Sequence, residues 1–313
     1  MKMIESGSEV ASSAAGILLS GASGMLGTAL RKALAARGIA ALQLVRGAAA
    51  AEHELAWTPE KSPAIADPGR LEGLAAAIHL SGASVAGHRW TAAYRREMAA
   101  SRVGSTRALA AILAGLRRPP EVLLAASAVG FYGDRGDALL DESSGAGTGF
   151  LAELCREWEE AARPAVEAGI RVVHLRFGVV LGPGKGALKQ MLPVFRLGVG
   201  GRLGSGRQWM SWIGVDDAMR AILFAMETPA LAGPVNLTAP NPVTNAEFTH
   251  ALARQLGRPA VLPAPAFALR LALGEMADET LLASARAVPG KLRDAGFRFE
   301  QPTVEEALKV ALA

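Results

Sequence analysis

The fold of this chain is decided by the stretch ILLSGASGMLG, which runs from Ile17 to Gly27. The apolar run 17–19 is short and ends in Ser20-Gly21, which predicts a buried strand. The apolar residues of 25–37 recur at helical spacing and stop at Gly38, a residue type that commonly ends a helix. The stretch therefore predicts a strand, a tight turn and a helix in immediate succession.

Three glycines recur at every third position of this turn, and each has a physical use. Gly21 allows the tight turn, Gly24 lets the backbone approach a pyrophosphate, and Gly27 lets the helix pack closely on the strand. The start of the helix offers unpaired N–H groups and a partial positive charge to phosphates. We therefore predict a dinucleotide site here, with Ser23, Met25 and Leu26 beside the three glycines. The alternative is a turn that only packs a helix onto a sheet.

Strands and helices alternate through the first half of the chain. Further strands are predicted at 39–45, 75–80, 122–126 and 171–177, and helices at 90–116 and 150–168. This alternation predicts an α/β fold with a Rossmann-type doubly wound parallel sheet. We divide the chain into a flexible leader (1–15), a dinucleotide-binding Rossmann domain (16–182) and a smaller, mixed but mainly helical C-terminal lobe (183–313). Residues 234–240 are expected to rejoin the sheet.

The end of the second strand distinguishes between the two nicotinamide cofactors. An NAD site usually carries an acidic residue there for the ribose 2′-hydroxyl. This strand ends in Val45-Arg46, and the next carboxylate is Glu52. The planar guanidinium of Arg46 suits a 2′-phosphate, so we predict NADP(H) as the cofactor. The alternative is an ordinary solvated arginine.

The composition narrows the class of protein. The 313 residues are 50% hydrophobic and 20% charged, and a net charge of +4 without a basic cluster argues against a nucleic-acid partner. Charges or glycines interrupt every apolar run before the ~18 residues that a membrane span needs. The single cysteine, Cys155, cannot form an internal disulfide, which favours the cytoplasm. We expect a small-molecule substrate, no membrane partner and no metal, since the five histidines lack metal-ligand spacing; the oligomeric state is open.

Several ordered motifs from Gly16 onward carry a resemblance to a known family. They are GASGMLG, HLSGASVAGHRW, SRVGSTRAL, GFYGD, WEEAA, LRFGVVLGPGKGAL, GSGRQWMSWIGVDD, TNAEF and PGKLRDAGFRF. With them the chain resembles the extended, epimerase-like branch of the short-chain dehydrogenases/reductases. It looks most like the atypical "epimerase family" proteins that end in a domain of unknown function. That resemblance implies NADP-dependent oxidoreductase or nucleotide-sugar epimerase-like activity.

The resemblance also implies the position of the cofactor. It places around it Val45, Arg46, Leu80, Ser81, Glu97, Arg102 and Val180. Physical reasoning supports the turn that contains Leu80, Ser81 and Gly82, because small residues after a parallel strand lie at the sheet edge where ligands bind. Glu97 and Arg102 have a plainer alternative, a solvated pair on a helix face.

The chain departs from this superfamily in its catalytic pair. Its enzymes use a tyrosine followed four residues later by a lysine, which lowers the tyrosine pKa for proton exchange. Here Tyr94 is followed at that spacing by Met98 and Tyr132 by Gly136, and 150–155 contains neither residue type. Ser127 follows a strand where the superfamily's catalytic Ser or Thr lies. Ser127 and Tyr132 are therefore our catalytic candidates, with a turn serine and a packing tyrosine as the alternative.

The second lobe contains basic residues that would suit a phosphate-bearing substrate, although such charges more often form a solvated surface. They are Lys185, Lys189, Arg196, Arg202 and Arg207. Asp217 is expected to cap a helix that begins near Ala218, and Gly214 stands where the family often has histidine. The sequence thus predicts an NADP(H)-binding, epimerase-like oxidoreductase whose substrate is unidentified, a nucleotide-linked molecule being one alternative. The rival is a non-catalytic NADP(H) sensor.

Overall fold

The structure is a computed structural model that describes residues 16–184 and 186–313. The predicted leader, 1–15, and Lys185 lie outside the described residues. Strands and helices are numbered here in chain order.

The strands are β1 Ile17–Ser20, β2 Ala41–Val45, β3 Glu54–Ala56, β4 Ala76–His79, β5 Val122–Ala128, β6 Leu139–Leu140, β7 Arg171–Phe177, β8 Val179–Leu181, β9 Trp209–Met210, β10 Trp212–Gly214, β11 Gly233–Leu237, β12 Val243–Thr244 and β13 Arg286–Ala287. The α-helices are α1 Met25–Ala36, α2 Ala92–Ala99, α3 Ser105–Ala114, α4 Phe150–Glu160, α5 Arg163–Glu167, α6 Gly186–Arg196, α7 Val215–Glu227, α8 Asn245–Leu256, α9 Ala266–Leu273, α10 Gly290–Asp294 and α11 Val304–Leu312. Two segments are π-helical, Ala100–Gly104 and Ala277–Leu282, and two are 3-10 turns, Pro68–Leu71 and Val129–Tyr132.

Seven strands form one sheet in the order β11-β7-β5-β4-β1-β2-β3, and every neighbouring pair is parallel. The strand order reverses between β1 and β4, which is the position where open α/β sheets bind ligands beyond the carboxyl ends of their strands. The prediction of a Rossmann-type doubly wound α/β fold is confirmed.

The two faces of this sheet carry separate apolar cores. One core packs β-strand residues such as Leu19 and Leu124 against α1 and α7. The other packs residues such as Leu18 and Leu123 against α3 and α5. The alternation of neighbouring residues between the faces is the ordinary period of a strand. Because α7 and β11 belong to the first core and sheet, parts of the chain beyond 182 complete this unit, and the predicted domain boundary stays a prediction.

Some predicted elements differ in detail from the structure. The helix expected over 90–116 consists of α2, the π-helical Ala100–Gly104 and α3. The helix expected over 150–168 is divided into α4 and α5, and Pro164 lies in the first turn of α5. A proline has no N–H to donate, so it fits the start of a second helix rather than the middle of a long one. Strand β3 was not predicted, because three residues are too few to show a period.

A smaller apolar cluster holds the C-terminal lobe together. It joins β8, β10 and α6 to α8 and α11 through residues such as Leu181, Trp212, Leu188, Phe248 and Leu308. Among the residues that the structure describes, no helix combines the length and the apolar character needed to cross a bilayer.

Candidate cofactor and substrate site

The turn between β1 and α1 requires glycine at two of its three glycine positions. Gly21 has a φ of +75°, and a Cβ there would lie 2.8 Å from the carbonyl carbon and oxygen of Leu80. A Cβ at Gly27 would lie 2.1 Å from the carbonyl oxygen of Gly21. At Gly24 the same contact would be 3.3 Å, which is tight but tolerable. The backbones of this turn and of the turn after β4 therefore touch directly.

The start of α1 has no partner from any described side chain. Gly24 is its N-cap residue and supplies no capping side chain, and the first turn contains no acidic residue. Ser23 is exposed, and Met25 and Leu26 are half-buried. A helix start with free N–H groups and a positive dipole end favours an anion such as a phosphate.

Arg46 and Glu97 line one cavity of about 280 Å³ next to this edge of the sheet. Its other lining residues are Glu60, Ala83, Ser84, Gly87, His88, Tyr94, Ala100 and Ser101. Two of the residues predicted around the cofactor are thus brought together. Sequence reasoning missed His88 and Tyr94, whose rings stack edge to face with centroids 5.1 Å apart. The motif that carries His88, GHRW, was the available signal.

Arg102 is a buried cation and not a solvated one. It is 7% exposed, donates from Nη2 to the Ala83 carbonyl oxygen at 2.8 Å, and its guanidinium lies 5.1 Å from the ring centre of Trp158. Desolvation lowers its pKa. A Cβ at Gly82 would lie 3.3 Å from its Cζ, so Gly82 and Arg102 adjoin in the loop that follows β4.

The remaining predicted cofactor residues lie at the same edge. A Cβ at Gly186 would be 3.2 Å from the Met25 thioether sulfur and 3.7 Å from the Val180 carbonyl oxygen. Leu80 is half-buried and packs against the core of the α1 face. Val45 ends β2 beside Arg46. The described positions surround the carboxyl end of β1, and their contact with a cofactor stays a prediction.

The two catalytic candidates belong to one buried hydrogen-bond network. Ser127 is 2% exposed and donates its hydroxyl to Glu159 Oε1 at 2.7 Å. Glu159 also accepts two bonds from Arg176, at 2.7 Å from Nε and 2.8 Å from Nη2. Arg176 in turn donates from Nη1 to the Tyr132 hydroxyl at 3.0 Å. Ser127 and Tyr132 are therefore joined through a carboxylate–guanidinium pair.

Tyr132 is enclosed by its partners. It is 0% exposed, and its hydroxyl lies 2.8 Å from Asn236 Oδ1 and 2.9 Å from the Asp141 carbonyl oxygen. Burial raises its pKa. The catalytic roles of Ser127 and Tyr132 stay predictions, and the contacts that the structure shows are internal ones.

Sequence reasoning missed the central ion pair of this network. The available signal was an arginine, Arg176, between the apolar Leu175 and Phe177 of a strand predicted in the sheet, because a charge at such a position needs a partner. That partner, Glu159, was part of the motif WEEAA. Asn236, which is 0% exposed, was equally visible as a polar residue within β11.

Helix α4 contains 150–155, the segment in which the resemblance led us to expect the tyrosine and lysine. Leu151 and Cys155 stand four residues apart and face Gly130, whose added Cβ would lie 3.4 Å from Leu151 Cβ and 3.8 Å from Cys155 Sγ. Cys155 is a core residue that is 3% exposed, and burial raises the pKa of its thiol to about 12. Glu279 accepts hydrogen bonds from the Phe150 and Leu151 amides, both at 2.7 Å, and this carboxylate caps α4.

The structure describes four of the five basic residues of the C-terminal lobe that were candidates for a phosphate-bearing substrate. Lys189, Arg196, Arg202 and Arg207 are all exposed, and Arg202 donates to the nearby Ser205 carbonyl. Their role stays a prediction.

The expected cap at Asp217 is wrong. Helix α7 begins at Val215, before Asp217. The Asp217 carboxylate instead accepts the backbone amides of Glu300 and Gln301. Gly214 adjoins the same segment: a Cβ there would lie 1.8 Å from Gln301 Oε1, so a larger residue would displace the Gln301 side chain.

Comparison with known families agrees with this architecture. Residues 17–237 match the NAD dependent epimerase/dehydratase family, and residues 264–311 match a domain of unknown function, DUF1731. The chain belongs to the NAD dependent epimerase/dehydratase family, which confirms the resemblance found in the sequence.

Three similar proteins place the chain more closely within this family. "Epimerase family protein Mb2239" of Mycobacterium bovis is 48% identical over 295 residues, which are 94% of this chain and 97% of that protein. The crystal structure of human epimerase family protein SDR39U1 (isoform2) with NADPH has a TM-score of 0.87 and 32% identity, covering 94% of this chain and 98% of that one. A nucleoside-diphosphate sugar epimerase from Corynebacterium glutamicum has a TM-score of 0.77 and 32% identity, covering 96% of this chain and 59% of that one.

Proposed function

We propose that this chain binds NADP(H) at the carboxyl end of β1 and serves as an oxidoreductase or epimerase-like enzyme. The observation that carries the binding proposal is the uncapped start of α1 behind Gly21 and Gly27, a ready site for the cofactor's pyrophosphate. The human relative whose structure was solved with NADPH supports the choice of cofactor.

Arg46 is proposed to select NADP(H) over NAD(H). It is exposed at the end of β2 and lines the cavity shared with Glu97 and His88. A guanidinium there offers the planar pair of donors that a 2′-phosphate accepts.

Titration of the protein with NADPH and with NADH tests this binding proposal. Wild type should bind NADPH more tightly, and Arg46→Ala should lose about tenfold or more in NADPH affinity, the usual scale of a lost charge-assisted contact. NADH affinity should change little. Arg31→Ala, an exposed arginine on α1, is the matched control. Equal losses for both cofactors in Arg46→Ala would remove the selectivity proposal, and no binding to wild type would remove the function.

The proposed reaction moves a hydride between a small molecule and the cofactor. When bound, the cofactor supplies or accepts that hydride at the nicotinamide ring. Ser127 and Tyr132 remain the proposed proton-handling residues, and the network through Glu159 would hold Ser127 in place. The Corynebacterium protein, named a nucleoside-diphosphate sugar epimerase, supports a nucleotide-linked substrate as one alternative.

A second candidate function is favoured by one observation. Neither tyrosine is followed four residues later by a lysine, because Met98 stands at that spacing after Tyr94 and Gly136 after Tyr132, so the pair that exchanges the proton is missing. That observation favours a non-catalytic NADP(H) sensor. A panel of carbonyl compounds and nucleotide sugars, assayed for NADPH oxidation or product, separates the two candidates. Turnover that Ser127→Ala reduces would support the enzyme, whereas tight NADPH binding without any turnover would support the sensor.

We propose the cytoplasm as the location of the protein. Its one cysteine, Cys155, is 3% exposed and free, as is usual in a reducing compartment.

A further inference from the structure

A chain of four buried or half-buried side chains runs beneath the proposed cofactor site. Ser81 Oγ lies 3.2 Å from Ser20 Oγ, Ser20 Oγ lies 2.5 Å from His79 Nδ1, and His79 Nε2 lies 3.0 Å from Ser105 Oγ. His79 and Ser20 are both 0% exposed. This chain of hydrogen bonds joins the last residues of β1 and β4 to the first residue of α3.

The Ser105 end of this chain of hydrogen bonds determines the direction of each hydrogen bond in it. The Ser105 hydroxyl donates back along its helix, to the Ser101 carbonyl oxygen at 2.7 Å and towards the Arg102 carbonyl oxygen at 3.2 Å. Its single hydrogen is therefore used, and Ser105 Oγ can only accept from His79 Nε2. Since burial lowers the pKa of His79 to about 4, the ring is neutral at pH 7. A neutral ring protonated at Nε2 is an acceptor at Nδ1.

The same reasoning proceeds from His79 to the surface. Ser20 must donate its hydrogen to His79 Nδ1, so its oxygen can only accept from Ser81. Ser81 must then donate its own hydrogen to Ser20. Ser81 is half-buried at the crevice, and it is left with lone pairs and no hydrogen to offer. These hydrogen bonds leave the Ser81 hydroxyl, a group that is ordinarily both donor and acceptor, able to act only as an acceptor towards a ligand.

We infer that His79 is a positioning residue that makes Ser81 a hydrogen-bond acceptor for a ribose hydroxyl of the bound dinucleotide. The inference rests on the proposed NADP(H) site. A ribose hydroxyl is the fitting donor because the turn that holds Ser81 touches the phosphate turn: a Cβ at Gly21 would lie 2.8 Å from the Leu80 carbonyl and 3.0 Å from the Ser81 amide nitrogen. The donors of a dinucleotide nearest to its pyrophosphate are its ribose hydroxyls, whereas the phosphates themselves only accept.

The first test needs no variant. Nitrogen NMR of the wild-type protein at pH 7 should show the His79 ring protonated at Nε2 and bare at Nδ1. A ring protonated at Nδ1 would reverse the direction of the chain, leave Ser81 a donor, and overturn the inference.

The second test measures binding of NADPH and of NADPH analogues that each lack one ribose hydroxyl. Ser81→Ala should weaken NADPH binding about fivefold, the scale of one neutral hydrogen bond, and should not weaken the analogue that lacks the accepted hydroxyl. His79→Leu should produce the same selective loss, since Ser20 would then be free to turn its hydrogen towards Ser81. A residue that only supported the fold would weaken all these ligands alike. Ser205→Ala, at an exposed serine, is the control.

The outcomes separate this inference from the proposed function. If wild type fails to bind NADPH, the proposed function is lost as well. If wild type binds NADPH and Ser81→Ala binds NADPH and every analogue as wild type does, only the inference about Ser81 and His79 is overturned.

Discussion

Helices α1 and α4 both begin at the carboxyl edge of the sheet, but the backbone amides of their first turns differ in their hydrogen-bond partners. Among the residues that the structure describes, no side chain caps α1, whereas the Glu279 carboxylate accepts the first two amides of α4. The first backbone amides of any helix lack partners within the helix. The difference shows that the first amides of α1 have no partner among the described side chains, whereas those of α4 are bound by the protein's own carboxylate.

The side chains around the two helices continue this contrast. Arg46 and Glu97 line an open cavity. Ser127 and Tyr132 are closed in by Glu159 and Arg176. If this contrast is correct, changes on the α4 side should lower stability without changing NADPH affinity, and changes on the α1 side should also weaken NADPH binding.

The largest expected effect on stability is from Glu159→Gln. The substitution leaves the Arg176 guanidinium, whose side chain is 4% exposed, without its carboxylate, and an uncompensated buried charge costs about 3–5 kcal/mol. Urea unfolding measures the loss. The control is Glu160→Gln, which breaks an exposed pair with Arg163 and should change stability by at most about 1 kcal/mol. Equal, small losses in the two variants would mean that the network does not stabilise the fold.

Gly27→Ala should cost about 2–3 kcal/mol, because the new Cβ meets backbone that cannot move without displacing β1 from α1. It should also weaken NADPH binding, since the same shift moves the start of α1. Gly104→Ala is the matched control, because a Cβ at Gly104 would meet no atom within 4 Å. The comparison between α1 and α4 would fail if Gly27→Ala kept both wild-type stability and wild-type affinity.

Acidification should destabilise the protein through His79. Desolvation lowers its pKa from 6.5 to about 4 in the folded state, so between these values the unfolded chain binds more protons and stability falls as pH falls. The loss from this group between pH 7 and pH 5 should be about 2 kcal/mol, and below about pH 4 it adds nothing further. Urea unfolding across this range measures it. In His79→Gln the unfolding free energy should fall by about 2 kcal/mol less between pH 7 and pH 5 than in wild type. An unchanged fall would show that His79 is not held neutral.

The sequence was sufficient for those parts of the structure that depend on local patterns. The strand–turn–helix at 17–37, the alternation of elements and the preference for glycine at positions 21 and 27 all follow from spacing and residue type. The resemblance placed Arg46 and Glu97 at one site, and the structure shows that both line the same cavity. The predicted contacts of these residues with a cofactor are still to be measured.

The remaining features depend on contacts between residues that are distant in the sequence. Ser127 and Glu159 are separated by 32 positions and Tyr132 and Asn236 by 104, so no local pattern could show that they share hydrogen bonds. The direction of the hydrogens in the His79 chain depends on Ser105, which belongs to a different element. The Asp217 cap was predicted from local preference, and a long-range contact with 300–301 determines its role instead.

The most direct test of the central claim is the dissociation constant of NADPH for Tyr132→Phe, measured beside its unfolding free energy. The variant leaves Asn236 Oδ1, the Asp141 carbonyl oxygen and Arg176 Nη1 without the hydroxyl, which should cost about 1–2 kcal/mol of stability. The account predicts that the NADPH dissociation constant stays within about twofold of wild type, a change smaller than one hydrogen bond is worth. A dissociation constant raised about tenfold or more at unchanged stability would contradict it, because the network would then belong to the cofactor site.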